Sequence, residues 1–188
     1  MTFRATILAA SALLALSACG RNKDAAQTNM TNDTVSASLP DAVAPTPSAA
    51  QSFADTVAAS DAFEIETSRL ALTNGASAQV KAYARKMIEA HTASTAKLKA
   101  TTAGMAPVVT PSATLNAEQQ QKLDHLKTLN GTAFDKAYIA EQTAGHQQIL
   151  DVLKAYTATG DAPALKSFAT GLTPTVAAHL NMAKGLKA

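Results

Sequence analysis

The chain has 188 residues, with 16 Lys and Arg against 14 Asp and Glu, so its formal net charge is +2. This small charge excludes a protein that attracts a nucleic acid backbone over long range. The single Cys excludes both an intramolecular disulfide and a cysteine zinc cluster. Hydrophobic residues make up 47% of the chain and aromatic residues only 4%, a composition that favours closely packed helices over a sheet.

Residues 1–19 have the pattern of an export signal. A single Arg precedes an apolar stretch of about 12 residues, which is too short to cross a bilayer and suits a signal peptide. The stretch leads into Leu16-Ser17-Ala18-Cys19, which resembles a bacterial lipobox. The sequence therefore predicts a lipoprotein that is anchored to a membrane through acylated Cys19. Ordinary signal-peptide cleavage next to an incidental Cys is the alternative.

The residue after the Cys and the segment that follows suggest where the protein is held. Gly20, in place of Asp, resembles the outer-membrane sorting pattern of Gram-negative lipoproteins, so we expect the periplasmic side of the cell envelope. Residues 20–51 contain no aromatic residue but several Pro and many small polar residues. Such a segment cannot bury enough apolar area to offset the entropy of ordering it. We predict a disordered tether here and a folded domain over residues 52–188.

Capping residues and hydrophobic periodicity divide the folded domain into helices. The predicted helices span, in chain order, 53–73, 78–103, 116–129, 133–159 and 161–187. Pro174 is expected to kink or split the last helix. Short connections after the first and fourth helices favour antiparallel neighbours. The predicted fold is all-α, an up-and-down four-helix bundle with the short third helix in its crossover.

Helical wheels place a carboxyl group and three imidazoles on the core-facing stripes of the four long helices. Glu66 lies outside the apolar arc of the first helix, and His125 lies away from the apolar side of the short helix. Asp135 shares a face with His146 but lies ~16 Å away along the helix axis. The core-facing titratable residues are Glu64, His91, His146 and His179.

The position of these residues along their helices predicts a common layer. Glu64, His91 and His146 each lie within about one residue of the midpoint of their helix, and midpoints stay level whichever way a helix runs. The height of His179 depends on how Pro174 bends the last helix. A carboxyl group and two or three imidazoles are therefore expected to meet in the bundle core.

Two arrangements would satisfy such a buried cluster. The groups can hydrogen-bond to one another, with Gln142 completing a polar network, or they can converge on a metal ion. Three His and one Glu suit a single transition-metal ion such as Zn, Mn, Fe or Cu. A ferritin-type di-iron site requires Glu three residues before His on two helices. Ile88 and Thr143 hold these positions before His91 and His146, so oxygen-activating chemistry and iron storage are not expected.

Four stretches, 62–66, 80–91, 134–146 and 165–180, carry a resemblance to a known family. Through them, residues 53–188 resemble the exported bacterial domain of unknown function 4142, often described as a predicted outer membrane protein with a ferritin-like bundle. The resemblance implies that bundle, and its pattern selects the same Glu and three His as the wheels. One departure is Ala90, where the family usually has an Asp that could orient His91 or join the site. The family brings no established activity.

Hydrolase, P-loop and dinucleotide-binding motifs are missing from the sequence, so we favour a protein that is not an enzyme. The sequence predicts an envelope lipoprotein that binds or senses one transition-metal ion. The alternative is a structural bundle, or one that binds an envelope protein partner, whose polar core only fixes the helix register. A stress-induced protein without a ligand is a third reading. The predicted metal ligands are Glu64, His91, His146 and His179.

Overall fold

A computed structural model describes residues 46–188, and this part of the chain is helical. That confirms the all-α prediction. The predicted signal peptide (1–19) with Cys19, and residues 20–45 of the predicted tether, lie outside the described residues. None of the described helices combines the length and the apolarity that a membrane span needs. The helices are α1 (Ala49–Asn74), α2 (Ala78–Thr102), α3 (Ala117–Lys127), α4 (Gly131–Thr159) and α5 (Pro163–Gly185).

Helix α1 begins four residues earlier than predicted, inside the last part of the segment that was assigned to the tether. Ser48 is its N-cap, and the Ser48 hydroxyl accepts a hydrogen bond from the backbone N–H of Gln51. The predicted start is Phe53, the first aromatic residue of the folded domain. Ala50 is already buried, so a small side chain in the first turn takes part in the core. The tether can therefore extend only to residue 48.

Helix α5 continues through Pro174, so the predicted split does not occur. A proline inside a helix leaves the carbonyl group four residues earlier without its usual donor. That carbonyl belongs to Thr170, and Thr170 and Pro174 are both exposed, so water can satisfy it. Pro163 in the first turn suits the start of the helix. The uninterrupted helix settles the height of His179.

The four long helices contact one another in a ring. Helix α1 packs against α2 and α4, and α5 packs against the same two helices. The short helix α3 lies against α1 and α4. Each of α1 and α4 connects to the next helix through three residues, which makes the pairs α1–α2 and α4–α5 antiparallel.

Asp135 fixes the turn between α1 and α2. Its buried carboxylate accepts hydrogen bonds from the backbone N–H groups of Ala76, at 3.1 Å, and Ser77, at 2.8 Å. A Cβ atom at Gly75 would lie 2.8 Å from Asp135 Oδ1, so only glycine allows this close approach. Asp135 therefore has a structural role, in agreement with its predicted distance from His146.

The core consists of two apolar clusters with polar residues between them. Along α1, the first apolar cluster includes Phe53 and Val57, and the second includes Ala71. Along α4 the order is reversed, with Tyr138 in the second cluster and Leu153 in the first. We call the buried polar residues between these clusters the polar layer. Its members are Asp61, Glu64, Thr67, His91, Ser94, Gln142, His146 and His179.

Candidate metal centre

Three of the predicted site residues meet in the polar layer. The ring centroids of His91 and His146 are 5.5 Å apart, those of His91 and His179 are 5.7 Å apart, and those of His146 and His179 are 5.4 Å apart. One nitrogen atom from each ring lies within 4.8 Å of the others. Small side-chain rotations would let one ion contact all three, because metal–imidazole bonds are about 2 Å long.

The residues that the wheels placed outside the core are exposed, as predicted. His125 is exposed on α3, and Glu66 pairs on the surface with Arg69 at 2.7 Å. The contrast with the three buried histidines confirms the helical periodicity on which the site prediction was based. It does not test whether a metal ion is bound.

The ring of His91 is oriented by a carboxylate from the neighbouring helix. His91 Nδ1 lies 2.8 Å from Asp61 Oδ1, and the other oxygen of Asp61 accepts a hydrogen bond from the Thr95 hydroxyl at 3.1 Å. The proton on Nδ1 therefore points to Asp61. His91 Nε2 is buried and has no hydrogen-bond partner within residues 46–188; we call such an atom orphaned. A carboxylate behind a histidine is the usual support of a metal ligand.

His146 and His179 also have one orphaned ring nitrogen each. His146 Nδ1 donates to the backbone carbonyl of Gln142 at 2.8 Å, which leaves Nε2 orphaned. His179 Nδ1 is orphaned as well. Leaving a buried polar group unsatisfied costs about 1–3 kcal/mol. A metal ion held by the three rings would satisfy such nitrogens, because an imidazole nitrogen without a proton is a metal donor.

The protonation states also suit a metal ion, because a ligating imidazole must be neutral. Burial, together with the positive charge of His91, lowers the pKa of His146 to about 3 and that of His179 to about 4. Burial also disfavours the charged form of His91. The hydrogen bond to Asp61 and the charges of Glu64 and Asp61 outweigh burial and raise the pKa of His91 above its usual value. A metal ion therefore competes mainly with a proton on His91.

Glu64 lies beside the histidine cluster, at the other side of the His146 ring. Glu64 Oε1 is 3.8 Å from His146 Nδ1, the nitrogen bonded to Gln142, and Glu64 Oε2 is orphaned. Burial raises the pKa of Glu64 to about 7, although His91 and Gln142 oppose this shift. Ligation by Glu64 stays a prediction, since the group of close donor atoms consists of the three histidines.

Asp61 is a residue of the site that was not predicted from the sequence. It stands three residues before Glu64 and about 80° from Phe53 on the wheel, within the apolar arc of α1, so its position could have been found. Its carboxylate orients the His91 ring from the facing helix. The position before His91, for which the sequence resemblance predicts an Asp, holds Ala90 here.

Comparisons with known proteins agree with this architecture. Residues 35–186 match the model of a family described as "Domain of unknown function (DUF4142)", and none of the curated proteins matches the chain. Two similar solved structures are "CopM in the Cu(I)-bound form", with a TM-score of 0.58, and "CopM in the Cu(II)-bound form", with a TM-score of 0.59. Each is 18% identical, and the match covers 72% of this chain and 93% of that chain. At this identity the likeness shows a shared fold.

Proposed function

This chain belongs to the DUF4142 family, and we propose that it is an envelope lipoprotein that binds a single transition-metal ion through His91, His146 and His179. The observation that carries the proposal is the meeting of three buried imidazoles, each of which has one orphaned ring nitrogen. Two of the three rings are held from behind by hydrogen bonds to Asp61 and to the Gln142 carbonyl. The function is binding or sensing, because the sequence contains no catalytic motif that would add a reaction.

The donor set narrows the choice of ion. Imidazole nitrogens suit Zn, Cu and Fe, whereas Mn prefers oxygen ligands. Copper is the first ion to test, since the two similar structures are both titled copper-bound. Glu64 would join as a fourth ligand only if its carboxylate moved around the His146 ring, so we favour ligation by the three histidines.

The cellular location in this proposal rests on the sequence. Acylation of Cys19 would anchor the chain to the outer membrane, on its periplasmic side, and the segment between Cys19 and α1 would serve as the tether. The ring of long helices, with α3 against α1 and α4, supports a ferritin-like four-helix bundle as the architecture. The proposed function does not involve binding of a nucleic acid.

A register-fixing polar core is the second candidate. Hydrogen bonds between helices favour it, because Asp61 of α1 bonds to His91 of α2, and Ser68 of α1 bonds to Tyr138 of α4 at 2.8 Å. In this case the bundle would serve as a structural element or bind an envelope protein partner. The orphaned nitrogens argue against it, since a purely structural network would be expected to satisfy its own members.

Elemental analysis of the full chain, exported and purified in detergent without chelator, tests the proposal. We expect about one ion per chain. The triple variant His91→Ala/His146→Ala/His179→Ala should lose it, while His125→Ala, which changes an exposed histidine, should keep it. Circular dichroism checks that the triple variant stays helical. No ion in the wild type, even after incubation with Cu, Zn, Mn and Fe, would contradict the metal proposal and favour the register-fixing core.

A further inference from the structure

A cavity with a volume of about 110 Å³ lies between α1, α3 and α4, next to the histidine cluster. It has room for several water molecules or a hydrated cation. Within the described part of the chain, the three histidines are not among its lining residues. The polar and small residues that line the cavity include Ser60, Glu64, Glu118, Lys122, Glu141 and Gly145.

The carboxyl groups of this cavity form a series from solvent to core. The side chain of Glu118 is 70% exposed, that of Glu141 is 25% exposed, and that of Glu64 is only 3% exposed. Lys122, which lines the same cavity, pairs with the two outer carboxylates. Its Nζ lies 2.8 Å from Glu118 and 3.2 Å from Glu141. The ammonium group therefore occupies a position that already suits a positive charge.

Glu64 connects the cavity to the histidine cluster. Glu64 lines the cavity, its Oε2 is buried and orphaned, and its Oε1 lies 3.8 Å from His146 Nδ1. Gly145 of α4 makes room for this carboxylate, because a Cβ atom there would lie 3.1 Å from Glu64 Oε1. A buried, unsatisfied acceptor at the end of an acidic cavity is suited to receive a cation.

We propose that this cavity is the entrance through which a transition-metal cation reaches the three-histidine centre. Glu118, Glu141 and Glu64 attract the cation in turn, and Lys122 competes with it for the first two carboxylates. The Lys122 ammonium group can move away from these carboxylates because its side chain is long, flexible and one-third exposed. This inference rests on the proposed function, since it requires a metal centre to be filled.

A rival entrance lies beside His91 and His179. That cavity has a volume of about 20 Å³, enough for about one water molecule. Its one acidic residue among the described residues is Asp61, and Asp61 is already hydrogen-bonded to His91. Size and charge therefore both favour the acidic cavity as the route for a hydrated cation.

Stopped-flow measurement of Cu²⁺ association with the metal-free full chain, at a pH above 7 where the Glu64 carboxyl group is charged, tests the entrance. Removal of a charge from a focusing cleft changes association rates, so we expect Glu64→Gln to slow association roughly three- to tenfold. Lys122→Met should accelerate association by a similar factor. Both variants should still bind the same number of ions as the wild type at equilibrium. The effects should shrink as salt is raised.

The chain offers matched controls on the same two helices. Glu66→Gln on α1 and Lys127→Met on α3 remove charges from exposed ion pairs, those with Arg69 and Asp124, that lie outside the cavity. Both control variants should associate at the wild-type rate. A control variant that changed the rate as much as its partner would overturn the proposal, because net charge alone would then explain the effect.

The remaining outcomes separate the entrance from the metal centre itself. Unchanged rates in Glu64→Gln and Lys122→Met, with one ion bound, would overturn the entrance and favour the smaller cavity. Loss of the ion from Glu64→Gln at equilibrium would also overturn it and make Glu64 a ligand. If the wild type bound no ion, the proposed function itself would fail.

Discussion

The apolar clusters and the polar layer differ in how many of their buried polar atoms lack a hydrogen-bond partner. In the first apolar cluster the rings of Phe53 and Tyr156 stack with centroids 3.9 Å apart, and the Tyr156 hydroxyl donates to Asp161 at 2.8 Å. Among the described residues, the apolar clusters contain one orphaned side-chain atom, the Tyr83 hydroxyl, whereas the polar layer contains six. These six atoms belong to Glu64, His91, Ser94, Gln142, His146 and His179.

This difference assigns stability to the apolar clusters and function to the polar layer. Burial of apolar side chains stabilises the bundle, whereas buried polar atoms without partners cost free energy. The unsatisfied groups of the polar layer lower the stability of the fold, so we expect the layer to have a binding function. Substitutions in the clusters should therefore change stability, and substitutions in the layer should change ion binding.

The largest effect on stability is expected in the first apolar cluster. Leu153 is fully buried, and Leu153→Ala should lower the free energy of unfolding by about 2–5 kcal/mol, because it removes apolar contacts and leaves a cavity. Ion binding should persist in the folded variant. Val108 is 80% exposed, so Val108→Ala serves as the control and should change stability by less than about 0.5 kcal/mol. Urea unfolding measures both. Loss of the ion from folded Leu153→Ala would remove the distinction between cluster and layer.

The helices and their core faces were predictable because capping residues and periodicity are local. Ser77 and Asn116 cap α2 and α3, and the burial of His91 and His146 follows from the spacing of their apolar neighbours. The start of α1 was harder to predict, since no large apolar residue lies between Ser48 and Phe53. Its first-turn core residue is Ala50, which carries a weak hydrophobic signal.

The fine structure of the site depends on contacts between helices, which no single helix encodes. Asp61 meets His91 across the α1–α2 interface, and a wheel of α1 shows only that Asp61 faces inward. Glu64 was predicted to join the cluster, but its side chain lies at the Nδ1 side of His146. The acidic cavity exists because α3 packs over α1 and α4, and the sequence of the crossover does not indicate where α3 lies.

The next largest expected effect is a pH dependence of the free energy of unfolding, caused by Glu64. Its pKa rises from 4.5 in the unfolded chain to about 7 in the folded protein. The folded state therefore holds the proton more tightly, and the resulting stability is complete below pH 4.5 and is lost as pH rises through about 7. Relative to Glu64→Gln, the wild type should lose up to about 3 kcal/mol across this range.

Urea unfolding of the metal-free proteins, at a series of pH values that spans this range, measures the difference. Burial also lowers the pKa of His146 and of His179, so both proteins lose stability as pH falls below the ordinary histidine value. That loss is common to the two proteins and cancels in the difference. A difference that stays constant with pH would show that the Glu64 carboxyl group is not protonated in the folded state.

Asp61 should affect ion binding more than stability. Asp61→Asn keeps an oxygen that can accept the His91 Nδ1 proton but removes the charge that raises the basicity of the ring. Loss of such a supporting carboxylate typically weakens metal affinity by 10–100-fold, and we expect a decrease in that range by competitive titration with a chelator. Asp55→Asn changes a carboxylate of α1 that bonds to Gln51 and to the Ser112 N–H, far along the helix, and should leave the affinity unchanged. Equal affinities of Asp61→Asn and the wild type would mean that His91 does not bind the ion.

The smallest effect is expected at Ser94, a member of the polar layer that lies outside the donor set. Its hydroxyl is orphaned, and it lines the small cavity beside His91 and His179. Because Ser94→Ala removes an unsatisfied group, it should leave the free energy of unfolding unchanged or raise it by less than about 1 kcal/mol. Ion affinity should stay within twofold of the wild type, since the three imidazoles are untouched. A clear loss of affinity in the chelator titration would mean that Ser94 acts on the ion, directly or through a water in that cavity. The functional part of the polar layer would then extend beyond the histidines.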